Sequence, residues 1–378
     1  MRKRGNHEGS VYQRGDGRWV GVVTVTSEEG GSPGRKYYYG ASRAAAADKV
    51  ATAVYLLRRG VTPPNERLTV GEYLHRWLSD AVRPSVKEST YHVYAKDVRL
   101  HIMPALATVP LARLTPAQLQ RLYRDKLASG LAPTTVLHIH KVLSRALAQA
   151  LREDLVSRNV ATLVDPPRVG ATNVRAFSIE QARRFVAEVS GSRLEAAFLV
   201  ALGAGLRRGE LLALSWDDVR VEDGHLAVRR SLMKVPGGWQ LAEPKNAASR
   251  RVVKLPEFAV DALRRHRARQ LEERLKAPVW EDPTLVFTTT VGTPIDGRNF
   301  LREFKETAAR AGMPAAFTVH SLRHSAATLM LALGVQPKVV QEALGHSRIA
   351  VTMDLYSHVL PHLQEEAAAK MDRLLVAR

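Results

Sequence analysis

The 378-residue chain has no cysteine. Disulfides and thiolate zinc sites are thereby excluded, and a reducing compartment is compatible with the composition. Long apolar runs are missing too: no uninterrupted stretch approaches the ~20 residues that a membrane span requires. The opening Met1-Arg2-Lys3-Arg4-Gly5 is not followed by the apolar run of a signal peptide. There is no internal repeat, low-complexity tract, Gly-rich phosphate loop or carboxylate cluster with metal-ligand spacing. Acidic side chains are the scarcer charge: 37 Asp and Glu stand against 56 Lys and Arg, a formal charge of +19. That excess points to a polyanionic partner, nucleic acid first, with a merely basic soluble protein or a visitor to anionic membranes as the plainer alternatives. The length suffices for two or three domains, and the expectation is a soluble, intracellular protein with a nucleic-acid partner.

Three blocks follow along the chain. Residues 1–62 read as a small module of three β-like runs (Val11-Tyr12, Arg18 to Thr26, Arg35 to Tyr39) and one Ala-rich helix, capped by Ser42 and closed at Gly60. Basic Arg14, Arg18, Arg35 and Lys36 flank Tyr12, Trp19, Tyr37, Tyr38 and Tyr39, of which Trp19 is expected to fill the core. After a linker at Val61–Asn65, residues 67–160 read as four helices. Val70, Tyr73, Leu74, Trp77 and Leu78 give the first its helical spacing. The second runs from Ser89 to Ile102 and stops near Pro104. The third opens on the capping box Thr115-Pro116-Ala117-Gln118, and the fourth runs from Pro133 to Glu153. Lys87, Arg99, Lys141 and Arg145 there are candidate phosphate contacts, though each by itself reads as a solvated surface charge.

A second linker, 163–175, precedes the third block, 176–378, opened by the capping box Ser178–Gln181. Helical segments lead to Gly205. His225 to Leu232, Gln240 to Lys245 and Arg251 to Leu255 read as strands, the last two joined by a turn at Asn246–Ser249. Helices follow at Glu257 to Lys276 and Gly297 to Gly312. The chemistry concentrates after Thr318. His320 and Arg323 share a helix face, held by Leu322, Ala326, Leu329 and Met330. Gly334 ends that helix, Pro337 opens the next, and Gly345 stops it to present His346 on a tight turn. A short apolar stretch then leads to Tyr356.

HSLRH at 320–324, LGHS at 344–347 and Tyr356 ten residues after His346 resemble the C-terminal half of a tyrosine recombinase, the phage integrase family. That family also carries an arginine in a G-L-R-x-x-E segment and a lysine on a β-hairpin. Gly205-Leu206-Arg207-Arg208-Gly209-Glu210 and Pro244-Lys245 match these. The resemblance implies a multidomain, mainly α fold: an arm-type DNA-binding domain (1–62), a four-helix SAM-like core-binding domain (67–160) and a mixed α+β catalytic domain with a small antiparallel sheet (176–378).

It also implies the chemistry. Cleaving a phosphodiester loads negative charge on two non-bridging oxygens, and planar, permanently charged guanidiniums suit them. Arg207 and Arg323 would be that pair, although Arg207 could equally be tied up in an i, i+3 ion pair with Glu210. Tyr356 would be the nucleophile. A phenol with a pKa of about 10 must lose its proton as it attacks, and His320 would take it. Lys245 would protonate the 5′ leaving oxygen, with Lys254 as a nearby competitor, and His346 would donate a hydrogen bond to the phosphate. Glu210 reads as structural. The resemblance implies a 3′-phosphotyrosine intermediate with no cofactor and no metal. Its expected partners are double-stranded DNA at core and arm-type sites, a homotetramer in the synaptic complex, and a DNA-bending protein or excision factor; no membrane is involved. An i, i+4 zinc pair at His320 and His324 lacks a third ligand nearby in sequence.

Two other functions fit parts of the pattern. A helix-turn-helix regulator would use the segment from Leu333 to Thr352 but leave Arg207, Lys245 and Tyr356 without purpose. A type IB topoisomerase would share the chemistry without pairing two sites, and the N-terminal module speaks against it. The C-terminal segment from Leu363 to Leu375 carries Leu363, Ala367, Met371 and Leu374 at near-helical spacing, which suits either assembly with a neighbouring protomer or closure of its own domain.

Overall fold

The computed structural model describes residues 9–25, 34–58, 67–170, 175–235, 237–243 and 250–356, with 368, 371, 372 and 375 beyond them. Contacts divide the chain into two compact units, Met1–Ala171 and Thr172–Arg378.

The first unit opens with an antiparallel sheet of β1 (Ser10–Gln13), β2 (Trp19–Val25) and β3 (Gly34–Gly40), in that order. The Asp16 carboxylate accepts from the Arg18 N–H, and Gly17 turns the chain at φ 79°. Helix α1 (Arg43–Arg58) crosses one face. The register pairs Gly21 with Tyr38 and Val23 with Lys36, so strand alternation turns Tyr38 and Val23 towards Val50 and Ala53 of the helix. A Cβ at Gly21 would stand 2.2 Å from a Val50 methyl, so only glycine lets helix and sheet approach this closely. Tyr12, Tyr37 and Tyr39 alternate away and stay exposed. Trp19, expected in the core, is only partly buried; Tyr38 takes that place because the register gives it the helix-facing position. Gly60, expected to close α1, lies outside the described residues.

Helix α2 (Val70–Trp77) starts at a reciprocal cap: the Thr69 hydroxyl accepts from the Glu72 N–H, and the Glu72 carboxylate accepts from the Thr69 N–H. Its buried stripe is Val70, Tyr73, Leu74 and Trp77. The next helix does not end before Pro104. Helix α3 (Glu88–Asp97) passes through a wide π turn at Val98–Ile102 into a further turn, α4 (Met103–Leu106). Pro104 lies in the first turn of α4, where a missing N–H costs little, so it opens a turn instead of stopping the run. Helices α5 (Pro116–Ala128) and α6 (Pro133–Arg152) form where the sequence placed them, α5 from the Thr115–Gln118 box. They bury Leu119, Leu122 and Tyr123 with Val136, Ile139 and Leu143 in one core.

The second unit begins at α7 (Ile179–Val189), capped by Ser178 and Gln181. Helix α8 (Glu195–Ala204) is buried along its whole length, as its apolar circumference requires. Phe198 on α8 meets Phe185 on α7 and Phe304 on a later helix edge to face, and Phe300 on that helix at a tilt, which centres the core on α8. A short helix, α9 (Arg208–Leu212), follows.

The strands differ from expectation. β4 (Val219–Arg220), β5 (His225–Val228) and β8 (Arg251–Lys254) make one antiparallel sheet, while β6 (Ser231–Val235) and β7 (Gly238–Ala242) form a separate hairpin. The run from His225 to Leu232 breaks because Arg229 and Arg230 both pair with the buried Asp218 carboxylate, at 3.3 and 3.1 Å. β7 folds back on β6 through Gly237 and Gly238, at φ 92° and 149°. It therefore does not pair with β8, which lies on β5. Helices α10 (Glu257–Lys276), α11 (Gly297–Arg310), α12 (Val319–Ala332), α13 (Pro337–Leu344) and α14 (Ile349–Tyr356) follow in chain order.

Candidate active site

Four chain segments of the second unit meet at one place: the end of α8, the start of α9, the first turns of α12 and the end of α13. α8 stops at Gly205, in the left-handed region at φ 62°. A Cβ there would stand 2.2 Å from Leu344 and 3.3 Å from Ala326, so this turn packs directly on α12 and α13. Two residues later Arg207 is the N-cap of α9. The Glu210 carboxylate accepts from its backbone N–H at 3.1 Å and from its Nη1 at 2.6 Å. The remaining terminal nitrogen, Nη2, donates to the Gly345 carbonyl at 2.9 Å.

Arg323 rises from α12 and is 2% exposed. Its Nη1 donates to the Gly205 carbonyl at 2.7 Å, while Nη2 is buried with no hydrogen-bond partner among the described residues. A buried guanidinium nitrogen left open beside a second guanidinium is the donor set that an oxyanion would complete. Burial first, then the charge of Arg207, push Arg323 down to about 9. It remains cationic at neutral pH.

His320, one turn earlier on α12, is exposed at the same mouth. Desolvation, then the charges of Arg323 and Arg207, lower its pKa, so the ring is neutral and able to accept a proton. Its ring meets His324 edge to face, with centroids 4.4 Å apart. His324 is pushed down to about 4, by burial and then by His320 and Arg323.

Gly345 ends α13 at φ 67° and turns His346 inward, where it is buried. Gln341 brackets the turn: its carbonyl accepts from the His346 N–H, and its side-chain amide donates to the His346 carbonyl. His346 Nδ1 lies 3.0 Å from the buried Thr352 hydroxyl on α14. Burial, then Arg323 and Arg207, push this imidazole down to about 3, leaving it neutral.

The structure therefore brings Arg207, His320, Arg323 and His346 to one site. Tyr356 is the last residue of α14, and its side chain lies outside the described residues. Lys245, with the whole 244–249 connection between β7 and β8, also lies outside them. Lys254, the competitor, donates to the Asp223 carbonyl.

Sequence reading missed two residues. Thr352 is a buried hydroxyl on an otherwise apolar stretch. Arg251 is the first residue of β8, and alternation puts it on the same side as the buried Val253; a charge on the core side of a strand was the available signal. The ion pair between Arg207 and Glu210, weighed as the alternative to catalysis, is present at 2.6 Å alongside the site.

Comparison with known proteins bears on the family and the fold. Residues 174–362 match the model of the phage integrase family, and 69–128 match the phage integrase N-terminal SAM-like domain. A tyrosine recombinase XerC-like protein of Caldanaerobacter subterraneus is 32% identical over 375 residues, covering 94% of this chain and 96% of its own. An integrase of Mycobacterium phage D29 is 28% identical over 327 residues, 83% of each chain. Among solved structures, the Tn1549 transposon integrase in complex with a circular intermediate DNA superposes with a TM-score of 0.68 at 21% identity, covering 81% of this chain and 99% of that one. A lambda integrase tetramer bound to a Holliday junction gives 0.58 at 18% identity, covering 94% and 96%. At those identities the two structures show the shared fold.

Proposed function

Because the chain belongs to the phage integrase family of tyrosine recombinases, we propose that it is a site-specific DNA recombinase that integrates or excises a phage or mobile element. The observation that carries this reading is the meeting of Arg207, Arg323, His320 and His346, with one buried Arg323 nitrogen still open.

In the proposed reaction the Tyr356 oxygen attacks the scissile phosphorus, and the bond to the 5′ oxygen breaks. His320 takes the phenolic proton, and Lys245 gives one to the departing oxygen. Arg207 and Arg323 hold the two non-bridging oxygens, where positive charge fixed before the reaction stabilises the transition state most. His346 adds a hydrogen bond: in the tautomer whose Nδ1 accepts from the Thr352 hydroxyl, 3.0 Å away, the neutral ring carries its proton on Nε2 and can donate it. The phosphotyrosyl bond keeps the energy of the broken linkage, so the 5′ hydroxyl of a second strand can reverse the step without ATP. No metal is required, because the guanidiniums supply the charge.

We assign residues 1–62 to arm-type DNA, 67–160 to core-type DNA and 176–378 to catalysis. Tyr12 on β1 and Tyr37 and Tyr39 on β3 lie exposed on the sheet face opposite α1, with Arg35 in the same strand as the latter two, a surface able to stack and pair with DNA. The working assembly is a homotetramer on two duplexes, aided by a DNA-bending protein or excision factor, in the bacterial cytoplasm. No helix of the described residues is long and apolar enough to cross a membrane.

The test uses duplexes drawn from the DNA flanking the gene. A nicked substrate should trap a covalent protein–DNA complex that Tyr356→Phe abolishes, and two intact sites should yield recombinant product. Relaxation of supercoils without any recombinant would favour a topoisomerase; binding without a covalent complex would favour a regulator.

A further inference from the structure

Resting on that reading, we propose that Arg251 is a positioning residue for catalysis: it clamps Arg207 and His346 into one frame by bridging Glu210 to the end of α13. Its guanidinium is buried, its side chain 6% exposed. Nε donates to the Ala343 carbonyl at 2.6 Å, and Nη2 donates to the Glu210 carboxylate at 3.1 Å. Arg207 makes the matching pair of contacts, to the other Glu210 oxygen and to the Gly345 carbonyl. Two guanidiniums thus share one carboxylate, and each also ties down a carbonyl at the C-terminus of the helix that presents His346. Those carbonyls have no partner within the helix, so the cations satisfy them and face the negative end of its dipole.

The count of charges gives the frame a second consequence. Glu210 with Arg207 alone would be a neutral pair, and a phosphate would have to compete with the carboxylate for Arg207. Sharing the carboxylate with Arg251 leaves positive charge over. Three guanidiniums, Arg207, Arg251 and Arg323, against one carboxylate leave a net of two positive charges around the pocket. That suits a transition state with extra charge on two oxygens. Burial pushes the Glu210 carboxyl up, but the two arginines outweigh it and hold it below its usual range, so the carboxylate stays ionised.

The backbone makes Arg251 suited to this. It is the first residue of β8, which is hydrogen-bonded to β5 through Val228, and its side chain lies on the inner side of the strand. In sequence it lies six residues after Lys245, so the strand that follows the lysine's segment is the one that braces Arg207 through Glu210.

The test is single-turnover cleavage of the nicked duplex by the full chain, scored per folded molecule, with DNA affinity and melting temperature measured alongside. Arg251→Met should cut the cleavage rate by roughly 100-fold, as for loss of one fixed oxyanion donor, with affinity changed less than about threefold because the DNA surface is untouched. Arg251→Lys keeps the charge but reaches only one of the two acceptors, and should recover part of the rate. A merely structural role would lower the melting temperature and leave the rate per folded molecule within about threefold of wild type, which would overturn the proposal. If Arg251→Met does not fold, the rate of Arg251→Lys decides on the same scale. No adduct from the wild-type chain would instead overturn the recombinase reading itself.

Discussion

Arg323 and Arg207 lie close enough for their charges to oppose each other, and Glu210, already shared by Arg207 and Arg251, offsets only part of that cost. Replacing either by Ala should slow cleavage roughly 100- to 1000-fold; rapid-quench single turnovers measure it, and a loss below about tenfold would mean the phosphate is held elsewhere. The imidazoles give a second expectation. His346 is pushed down to about 3 in the folded chain, against about 6.5 when unfolded. Between those values the unfolded chain binds a proton that the native one refuses, so stability rises with pH in that window and is lost as pH falls from about 6.5 towards 3. The groups facing this ring, Arg323, Arg207, His324 and Arg251, all lower its pKa. Melting temperature should therefore fall between pH 7 and pH 5, and His346→Gln should shrink that fall. An identical fall in the variant would remove His346 as its source.

Elements place these residues by means that the sequence displays unevenly. HSLRH was legible because helical spacing alone puts His320 and Arg323 on one face, and the glycines at 205 and 345 mark turns that only a left-handed residue closes cheaply. The capping boxes at Thr69, Thr115 and Ser178 fix helix starts through local bonds, which a linear chain records directly. Strand pairing is different: nothing local in Gln240 to Ala242 states whether its partner precedes or follows it, and it folds back on β6, not β8. Arg251 was overlooked for the same reason, since its partners Glu210 and Ala343 are distant in sequence. Gly205 offers a test at this scale. A Cβ there meets Leu344 at 2.2 Å and forces a left-handed alanine, so Gly205→Ala should cost about 2 kcal/mol or more in denaturant melts. It should also slow cleavage, because the Gly205 carbonyl anchors Arg323. A variant as stable and fast as wild type would mean the turn is not the support it looks to be.

The whole chain combines an excess of positive charge with two separately compact units. Affinity for duplex DNA should drop roughly a thousandfold between about 50 and 200 mM salt if several phosphates are contacted at once. Brief trypsin treatment should cut at the exposed Arg168 or Arg175, on either side of the division between the units. Mass spectrometry would then find a fragment starting at Val169 or Ala176; cuts only after a buried residue such as Arg323 of α12 would contradict two independent cores. The most direct measurement is to trap the chain on a nicked duplex from its flanking DNA and map the nucleotide to a tryptic peptide. The nucleotide mass should fall on the peptide from Ile349 to Lys370, whose single tyrosine is Tyr356, and Tyr356→Phe should remove it. A nucleotide found on any other peptide, or one that survives Tyr356→Phe, would contradict the site built around Arg207, Arg323, His320 and His346.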